Sequence, residues 1–236
     1  MIIFNGSSSD DHNLIINSYP SFINPVRNVM ETEIPGRNGK LFHDQGNYKN
    51  VDLEYGFYIK RTAEIDLRAV ASDVFSWLDQ TGYKRLESSD DPAHYRLARF
   101  KGDASITNWV ALTGEGRLVF DCKPQRYLKT GEKALTFAES GRNLRNPTNC
   151  NARPAIMIKG TGAATFAIQD YVVKIEDIRG SITIDSERQD AYENGTNRNI
   201  DVILDDFPIL TPGTNKVVWN GDNITSVTII PHYWEL

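Results

Sequence analysis

This chain of 236 residues has few of the residues from which metal, disulfide or membrane sites are built. Its two cysteines and four histidines have no spacing that suggests a disulfide framework or a set of metal ligands. No apolar run approaches the roughly 20 residues that a bilayer-spanning helix needs. The N-terminus lacks a basic region and soon becomes polar, which argues against a signal peptide. We therefore expect synthesis in a cytoplasm and no membrane insertion.

Positive charge is also scarce. The formal net charge of -5 argues against a nucleic-acid-binding surface, because such a surface needs a basic patch. The sequence contains no Gly-rich phosphate loop, no His-x-x-x-His pair and no Gly-x-Ser-x-Gly elbow. We expect no catalytic residues, no cofactor and no bound metal, and hence a protein that is not an enzyme.

The remaining candidates for chemistry also have structural interpretations. The four histidines are scattered, although His43 could tune an interface with pH. Asp10 and Asp11 suit a solvated loop better than a metal site. Asp185 and Glu187 lie two apart at a strand end, where a carboxylate accepts bonds from turn amides, so they are interpreted as structural. A Ser-His-Asp arrangement stays open, since its members are distant in sequence.

A strand with strict alternation is the strongest local signal in the first half. Val51, Leu53, Tyr55, Phe57 and Ile59 occupy every second position of the run Tyr48–Ile59, which predicts one buried face. A weaker, charge-interleaved strand covers residues 29–34, and two turn pairs, Pro35-Gly36 and Asn38-Gly39, separate it from the run. We predict a projecting antiparallel arm, anchored by the apolar face of the Tyr48–Ile59 strand.

One helix and a series of short strands complete the expected architecture. Val70, Val74, Trp77 and Leu78 share one helical face, with Asp66 or Ser72 as N-cap and Gly82 as terminator. Strands are predicted at 95–100, 104–112 and 117–122, the last of which buries Cys122, whereas Cys150 lies in a polar, inert stretch. After a polar boundary at about 125–131, the even spacing of short strands indicates a β-sandwich, with strands at 155–158, 165–168, 172–175, 181–184, 200–204, 216–219 and 226–233.

Two groups of residues carry a resemblance to a known family. The first is Glu31-Thr-Glu-Ile-Pro-Gly-Arg-Asn-Gly39, followed by the alternating strand. The second contains Ile182-Thr-Ile-Asp185-Ser-Glu187, then Ala191-Tyr192, then Phe207-Pro208-Ile-Leu210-Thr-Pro-Gly213-Thr-Asn215. In order and spacing these residues resemble the distal tail proteins of long-tailed siphophages, which form the ring at the tip of the tail tube.

The resemblance implies a mainly-β fold in two domains. Residues 1–127 would form a ring-building β-sandwich with one helix and a long β-hairpin arm, and residues 128–236 a galectin-like β-sandwich. It further implies a structural protein of a phage or prophage tail tip, assembled in the host cytoplasm into a hexameric ring with a channel for DNA. The expected self-assembly residues are those of the arm: Glu33, Ile34, Pro35, Gly36, Arg37, Asn38 and Gly39.

The implied partners are other copies of the chain, the tail tube and tape-measure proteins, a tail-tip lysin-like protein and the receptor-binding machinery. A different function class stays open beside this one. Trp219, Tyr233 and Trp234 are aromatic residues that could stack on sugar rings, so a carbohydrate-binding module is the alternative. Since fold does not imply function and no sugar-binding motif is evident, we interpret these aromatic residues as sandwich-core or interface residues.

Overall fold

The computed structural model describes residues 1–60, 66–102, 115–221 and 223–236. The predicted strand at 104–112 therefore lies outside the described residues. The chain divides into two compact units, Met1–Arg126 and Tyr127–Glu235, which are described separately below.

Antiparallel strands and one α-helix build the N-terminal unit. The helix is α1 (Leu67–Leu78), and a 3-10 turn covers Ser9–His12. The strands are β1 (Ile2–Phe4), β2 (Ser7–Ser8), β3 (Leu14–Ser18), β4 (Arg27–Glu33), β5 (Lys40–Tyr48), β6 (Val51–Ile59), β7 (Lys84–Ser88), β8 (His94–Phe100) and β9 (Glu115–Cys122). Seven of these strands lie in one sheet in the order β2-β1-β7-β8-β9-β6-β3, whereas β4 and β5 pair only with each other among the described strands.

The alternation over residues 51–59 positions the core of this unit. Every odd-numbered residue of β6 is buried, as predicted, and fully burying each large side chain contributes about 1.5–3 kcal/mol. Helix α1 packs its buried face on the same core, and Trp77 Nε1 donates to the Phe4 carbonyl at 3.0 Å. Asp66 is the N-cap, accepting from the Arg68 amide at 2.9 Å. The helix ends at Leu78, so the prediction that Gly82 terminates it was wrong.

Strands and two 3-10 turns, Lys129–Glu132 and Asn199–Asp201, build the C-terminal unit. The strands are β10 (Arg126–Leu128, which begins at the boundary), β11 (Leu135–Phe137), β12 (Arg142–Asn146), β13 (Ala155–Ile168), β14 (Tyr171–Asp185), β15 (Asp190–Glu193), β16 (Thr196–Asn197), β17 (Val202–Leu204), β18 (Gly213–Asn220), β19 (Ile224–Ile230) and β20 (Trp234–Glu235). The strands from β11 to β19 form a second antiparallel sheet in the order β11-β19-β13-β14-β15-β16, in which β18 pairs with β13 and β12, and β17 pairs with β14.

A long hairpin, β13–β14, forms the centre of the second sheet. Four strands predicted as separate, at 155–158, 165–168, 172–175 and 181–184, are the ends of these two continuous strands. The sequence does not predict that each strand is continuous, because glycines in the middle of the hairpin interrupt the apolar pattern. Gly160 is required there: a Cβ on it would lie 2.5 Å from the Asn223 carbonyl oxygen. The mainly-β class with one described helix is confirmed, and the galectin-like topology stays a prediction.

Candidate self-assembly interface

The hairpin of β4 and β5 is the candidate interface, and we call residues 27–48 the arm. Its strands pair from Glu33 opposite Lys40 at the tip to Arg27 opposite Tyr48 at the base. A backbone hydrogen bond from Lys49 N to Val26 O, 2.9 Å long, closes the base. The arm is therefore a two-stranded ribbon that begins and ends at neighbouring points, with one shift of register between Arg27 and Val29 near its base.

The arm predicted from the sequence had the wrong second strand. Its partner for β4 was the Tyr48–Ile59 run, but β6 pairs with β3 and β9 in the body of the unit. The true second strand, β5, has no residue that is buried, so it carries no alternation of apolar and polar residues. The turn pairs Pro35-Gly36 and Asn38-Gly39 predicted the tip of the arm correctly, whereas the alternation over Tyr48–Ile59 led to the wrong second strand.

The predicted interface residues Glu33–Gly39 all lie together at the tip of the arm, and all are exposed. Arg37 N donates to Ile34 O at 3.1 Å, closing a turn with Pro35 at its second position. Gly36 has φ of 81°, the left-handed conformation that the third position of a type II turn requires. The Arg37 side chain has no ion-pair partner in the part of the chain that the structure describes.

The two faces of the arm differ in charge. Directly opposite residues of an antiparallel pair point to the same face. One face, which we call the Met30 face, consists of Met30 opposite His43 and Thr32 opposite Leu41. Met30 and Leu41 are 54% and 52% exposed, and no carboxylate or lysine lies between them on this face. Met30 and Leu41 therefore offer apolar surface whose burial requires no desolvation of an ion.

The opposite face, the Phe42 face, carries the ion pairs of the arm. It contains Glu31 opposite Phe42 and Glu33 opposite Lys40. Lys40 Nζ lies 2.8 Å from Glu31 Oε2 and 3.9 Å from Glu33 Oε1. Exposed pairs of this kind contribute only about 0.2–1 kcal/mol each. They fix the register of the ribbon more than they stabilise it.

The segment before the arm also exposes apolar side chains. Eight of the sixteen exposed large hydrophobic side chains in the described residues lie between Tyr19 and Phe42. One of them, Phe22, is 67% exposed and lies 5.1 Å below the Arg126 guanidinium. Concentrated apolar exposure of this kind marks a surface that other proteins cover.

A Ser-His-Asp arrangement, which the sequence left open, is present in the N-terminal unit. Ser7 Oγ lies 3.0 Å from His12 Nε2, and His12 Nδ1 lies 2.7 Å from Asp73 Oδ2. The His12 ring also stacks on Trp77, with the centroids 4.4 Å apart. These contacts join the β1–β2 hairpin to α1, and we interpret the arrangement as structural.

The aromatic residues of the carbohydrate alternative are engaged within the C-terminal unit. Tyr233 is buried, and its hydroxyl donates to Arg145 O at 2.8 Å. Trp234 Nε1 donates to Asn151 O at 2.9 Å, and Trp219 packs against the core of the unit. Among the described residues these three rings do not stack on one another, and none of them is fully exposed as an open platform.

The remaining candidate residues serve the fold. Asp185 Oδ1 accepts from the amides of Glu187 and Arg188 at 3.1 and 3.0 Å, which confirms its predicted strand-end role. Burial raises the pKa of the Cys122 thiol to about 12, and the side chain is fully buried as predicted. Within the described ranges no cluster of three or more His, Cys, Asp or Glu side chains is arranged to hold a metal.

The fold and the arm together define a class of protein: a mainly-β protein with a two-stranded arm whose exposed apolar residues are suited to contact with another protein. Residues 6–122 match the family model of the phage tail protein RIFT-related domain. Residues 6–122, the N-terminal half of the chain, belong to this family of phage tail domains, which confirms the resemblance carried by the Ile34–Gly39 motif. Members of the family are structural proteins of phage tails, not enzymes.

Solved structures share the fold. The Dit protein of phage SPP1, described as a paradigm of the hub adsorption apparatus in phages infecting Gram-positive bacteria, matches with a TM-score of 0.75 at 14% identity, over 100% of this chain and 98% of that one. The phage p2 baseplate in its activated conformation, with Sr or with Ca, matches with a TM-score of 0.50 at 10% identity, over 92% and 89% of the two chains.

None of the curated proteins compared with the chain matches it significantly. Among the described residues, no helix combines the length and apolar character needed to cross a membrane. The family match is what indicates a structural protein of a phage tail, located in the tail of the virion.

Proposed function

We propose that copies of this chain form a closed ring, of six subunits, at the tip of the tail, in which each arm lies on the next copy. The observation that carries this proposal is the arm itself: a ribbon of 22 residues with no buried side chain in β5 and two exposed apolar residues on one face. A head-to-tail contact of this kind closes into a ring when the rotation between subunits divides a full turn.

The Met30 face is the side that meets the neighbour. Burying it removes Met30 and Leu41 from water, whereas burying the Phe42 face would desolvate Glu31, Glu33 and Lys40. The free edge of the ribbon adds backbone pairing, since an exposed strand edge accepts another strand. At the tip, Arg37 donates a bidentate hydrogen bond to a carboxylate of the neighbour.

Such a ring joins the tail tube and tape-measure proteins on one side to a tail-tip lysin-like protein and the receptor-binding machinery on the other. It is assembled in the host cytoplasm. A channel through the ring passes DNA without binding it by sequence. The net charge of -5 suits this role, because a basic lining would hold phosphates and slow their passage.

The test excises the arm without disturbing its base. Arg27 and Tyr48 are directly opposite, so residues 28–47 can be replaced by an Asn-Gly turn that rejoins them. By size-exclusion chromatography with light scattering at high concentration, we expect the native chain at six times its 26.6 kDa mass and the excised chain as a folded monomer. A ring that survives the excision contradicts the role of the arm.

Point variants test which face is buried. Met30→Lys combined with Leu41→Lys places two charges on the Met30 face and should abolish the ring. Phe42→Lys, on the opposite face, is the matched control and should leave most of the ring intact; Leu135→Lys in the C-terminal unit controls for an added surface charge. If Phe42→Lys breaks the ring and the double variant does not, the assignment of the faces is reversed.

A further inference from the structure

A second exposed apolar surface lies in the C-terminal unit, and we call it the β17 patch: Val172, Ile200 and Ile203. Ile200 is 88% exposed, the highest value of any large hydrophobic residue described, and Ile203 and Val172 are 55% and 46% exposed. Ile203 lies opposite Lys174 of β14, two residues from Val172, so Ile203 and Val172 share one face of the sheet. The proposed ring leaves these residues without a role.

The turn that displays Ile200 is held on both sides. Arg198 donates to Glu193 Oε2 at 2.7 Å and to the Asp177 carbonyl at 2.9 Å. Asn199 donates to Asp190 Oδ1 at 2.7 Å and accepts from the Ala191 amide. An anchor residue fixed before a partner arrives loses little conformational entropy on binding. Ile200 is therefore presented on a rigid support.

The backbone beside this patch is an open sheet edge. β17 pairs with β14 on one side, and no other described strand pairs with it. Val202 and Leu204 pack towards the core of the unit, while Ile203 points outward. A strand edge with unpaired backbone groups and an outward apolar residue is a template for strand addition.

The charges next to β17 indicate which kind of peptide segment would pair with this strand. Asp205 and Asp206 directly follow β17, and neither carboxylate has an ion-pair partner among the described residues. Asp206 Oδ1 accepts only from the neighbouring Phe207 amide. Two free carboxylates at the end of an apolar edge favour a partner with basic residues at that end.

We propose that β17 is a docking edge for an extended, basic and apolar segment of a different protein. The segment pairs antiparallel to β17, sets an apolar side chain on Ile203 and Val172, and places Lys or Arg of its N-terminal end beside Asp205 and Asp206. This goes beyond ring formation and does not require it. In a ring, repeated copies of the edge would raise the overall affinity through multivalency.

The test uses a fluorescein-labelled peptide that begins with two lysines and continues as eight alternating valine and threonine residues. Fluorescence anisotropy with the full chain should show saturable binding that weakens with salt. A peptide with prolines replacing two threonines lacks backbone donors and should not bind. The reversed peptide, with its lysines last, should bind several-fold more weakly. Equal binding of the proline peptide, or no binding of the first peptide, overturns the proposal.

Protein variants locate the site. Ile203→Asp should raise the Kd at least tenfold, and Asp205→Asn with Asp206→Asn should raise it several-fold and flatten the salt dependence. Ile203→Thr, which suits a strand, keeps the test valid if the aspartate variant unfolds. The control Leu135→Asp changes an exposed residue on another short strand, β11, and should bind normally. An unchanged Kd in both Ile203 variants contradicts the site.

Sedimentation of the chain alone separates two further outcomes. Ile203→Asp should leave the ring intact, so loss of peptide binding and loss of the ring are distinguishable. If Ile203→Asp instead removes an oligomer of the chain alone, the edge holds a second copy and the proposal of a different partner is overturned.

Discussion

The arm and the β13–β14 hairpin use the same antiparallel pairing and differ in what covers their faces. β13 and β14 bury residues along nearly their whole length, including Ile156, Ile158 and Phe166 at 0% exposure. The arm has no buried residue in either strand. An isolated two-stranded hairpin is at best marginally stable in water. The β13–β14 hairpin is covered by its own unit, whereas most of the arm is exposed in this chain, and for that reason we propose that a neighbouring copy covers it.

The largest effect expected from this contrast comes from removing one phenyl ring from each hairpin. Phe166→Ala leaves a cavity in a sealed core and should cost about 3–5 kcal/mol of unfolding free energy. Phe42→Ala, in the arm, removes a ring that is 63% exposed and should change it by less than about 0.5 kcal/mol. Urea unfolding of the dilute chain, followed by tryptophan fluorescence, measures both. Comparable losses would mean that the arm is packed after all.

A smaller effect is expected from adding one methyl group to a glycine of each hairpin. Gly160→Ala in β13 places a Cβ 2.5 Å from Asn223 O and 3.0 Å from Ile224 Cα, both backbone atoms, so roughly 1–3 kcal/mol should be lost. Gly36→Ala in the arm meets open space, but its φ of 81° strains the tip turn alone. Differential scanning calorimetry should show a lower Tm for the first variant and an unchanged Tm for the second.

The same contrast between covered and exposed strands explains which parts of the structure the sequence predicts. β6 is predictable because its odd residues face a core, and the arm tip because Pro35-Gly36 specifies a turn chemically. β5 is not predictable, because a strand that is exposed on both faces has no periodic pattern of apolar residues. The predicted strand at 200–204 begins only at Val202, since Asn199–Asp201 forms a 3-10 turn. Hydrogen bonds from the side chains of Arg198 and Asn199 hold this turn, and the apolar pattern does not reveal them.

Interfaces are the hardest feature to predict for a physical reason. The exposed apolar residues Met30, Leu41 and Ile203 look in sequence like ordinary core residues of a strand. Only the fold reveals that about half of each of these side chains is exposed in the described structure. The motif Glu33–Gly39 identified the arm through its turn chemistry and its family resemblance, whereas the β17 patch lacks a motif of either kind.

The smallest expected effect comes from removing the charge of a single carboxylate. Asp121, in β9 of the N-terminal unit, is compared with Glu31, in the arm. Asp121 is buried in β9 and accepts from Arg99 Nε at 2.6 Å and Asn50 Nδ2 at 2.8 Å. Burial by itself raises the pKa of Asp121, but the hydrogen bonds from Arg99 and Asn50 outweigh it and hold the pKa below the ordinary aspartate value. The ionised form therefore stabilises the fold.

Because the folded-state pKa is depressed, this contribution is complete above the ordinary aspartate pKa and is lost as the pH falls through the folded value. Asp121→Asn should lower the Tm modestly at neutral pH, and the gap between native and variant should close as the pH is lowered. Glu31→Gln, which breaks the exposed pair with Lys40 in the arm, should leave the Tm of the dilute chain unchanged at every pH. A gap for Asp121→Asn that stays constant with pH would show that the carboxylate acts through its shape and not through its charge.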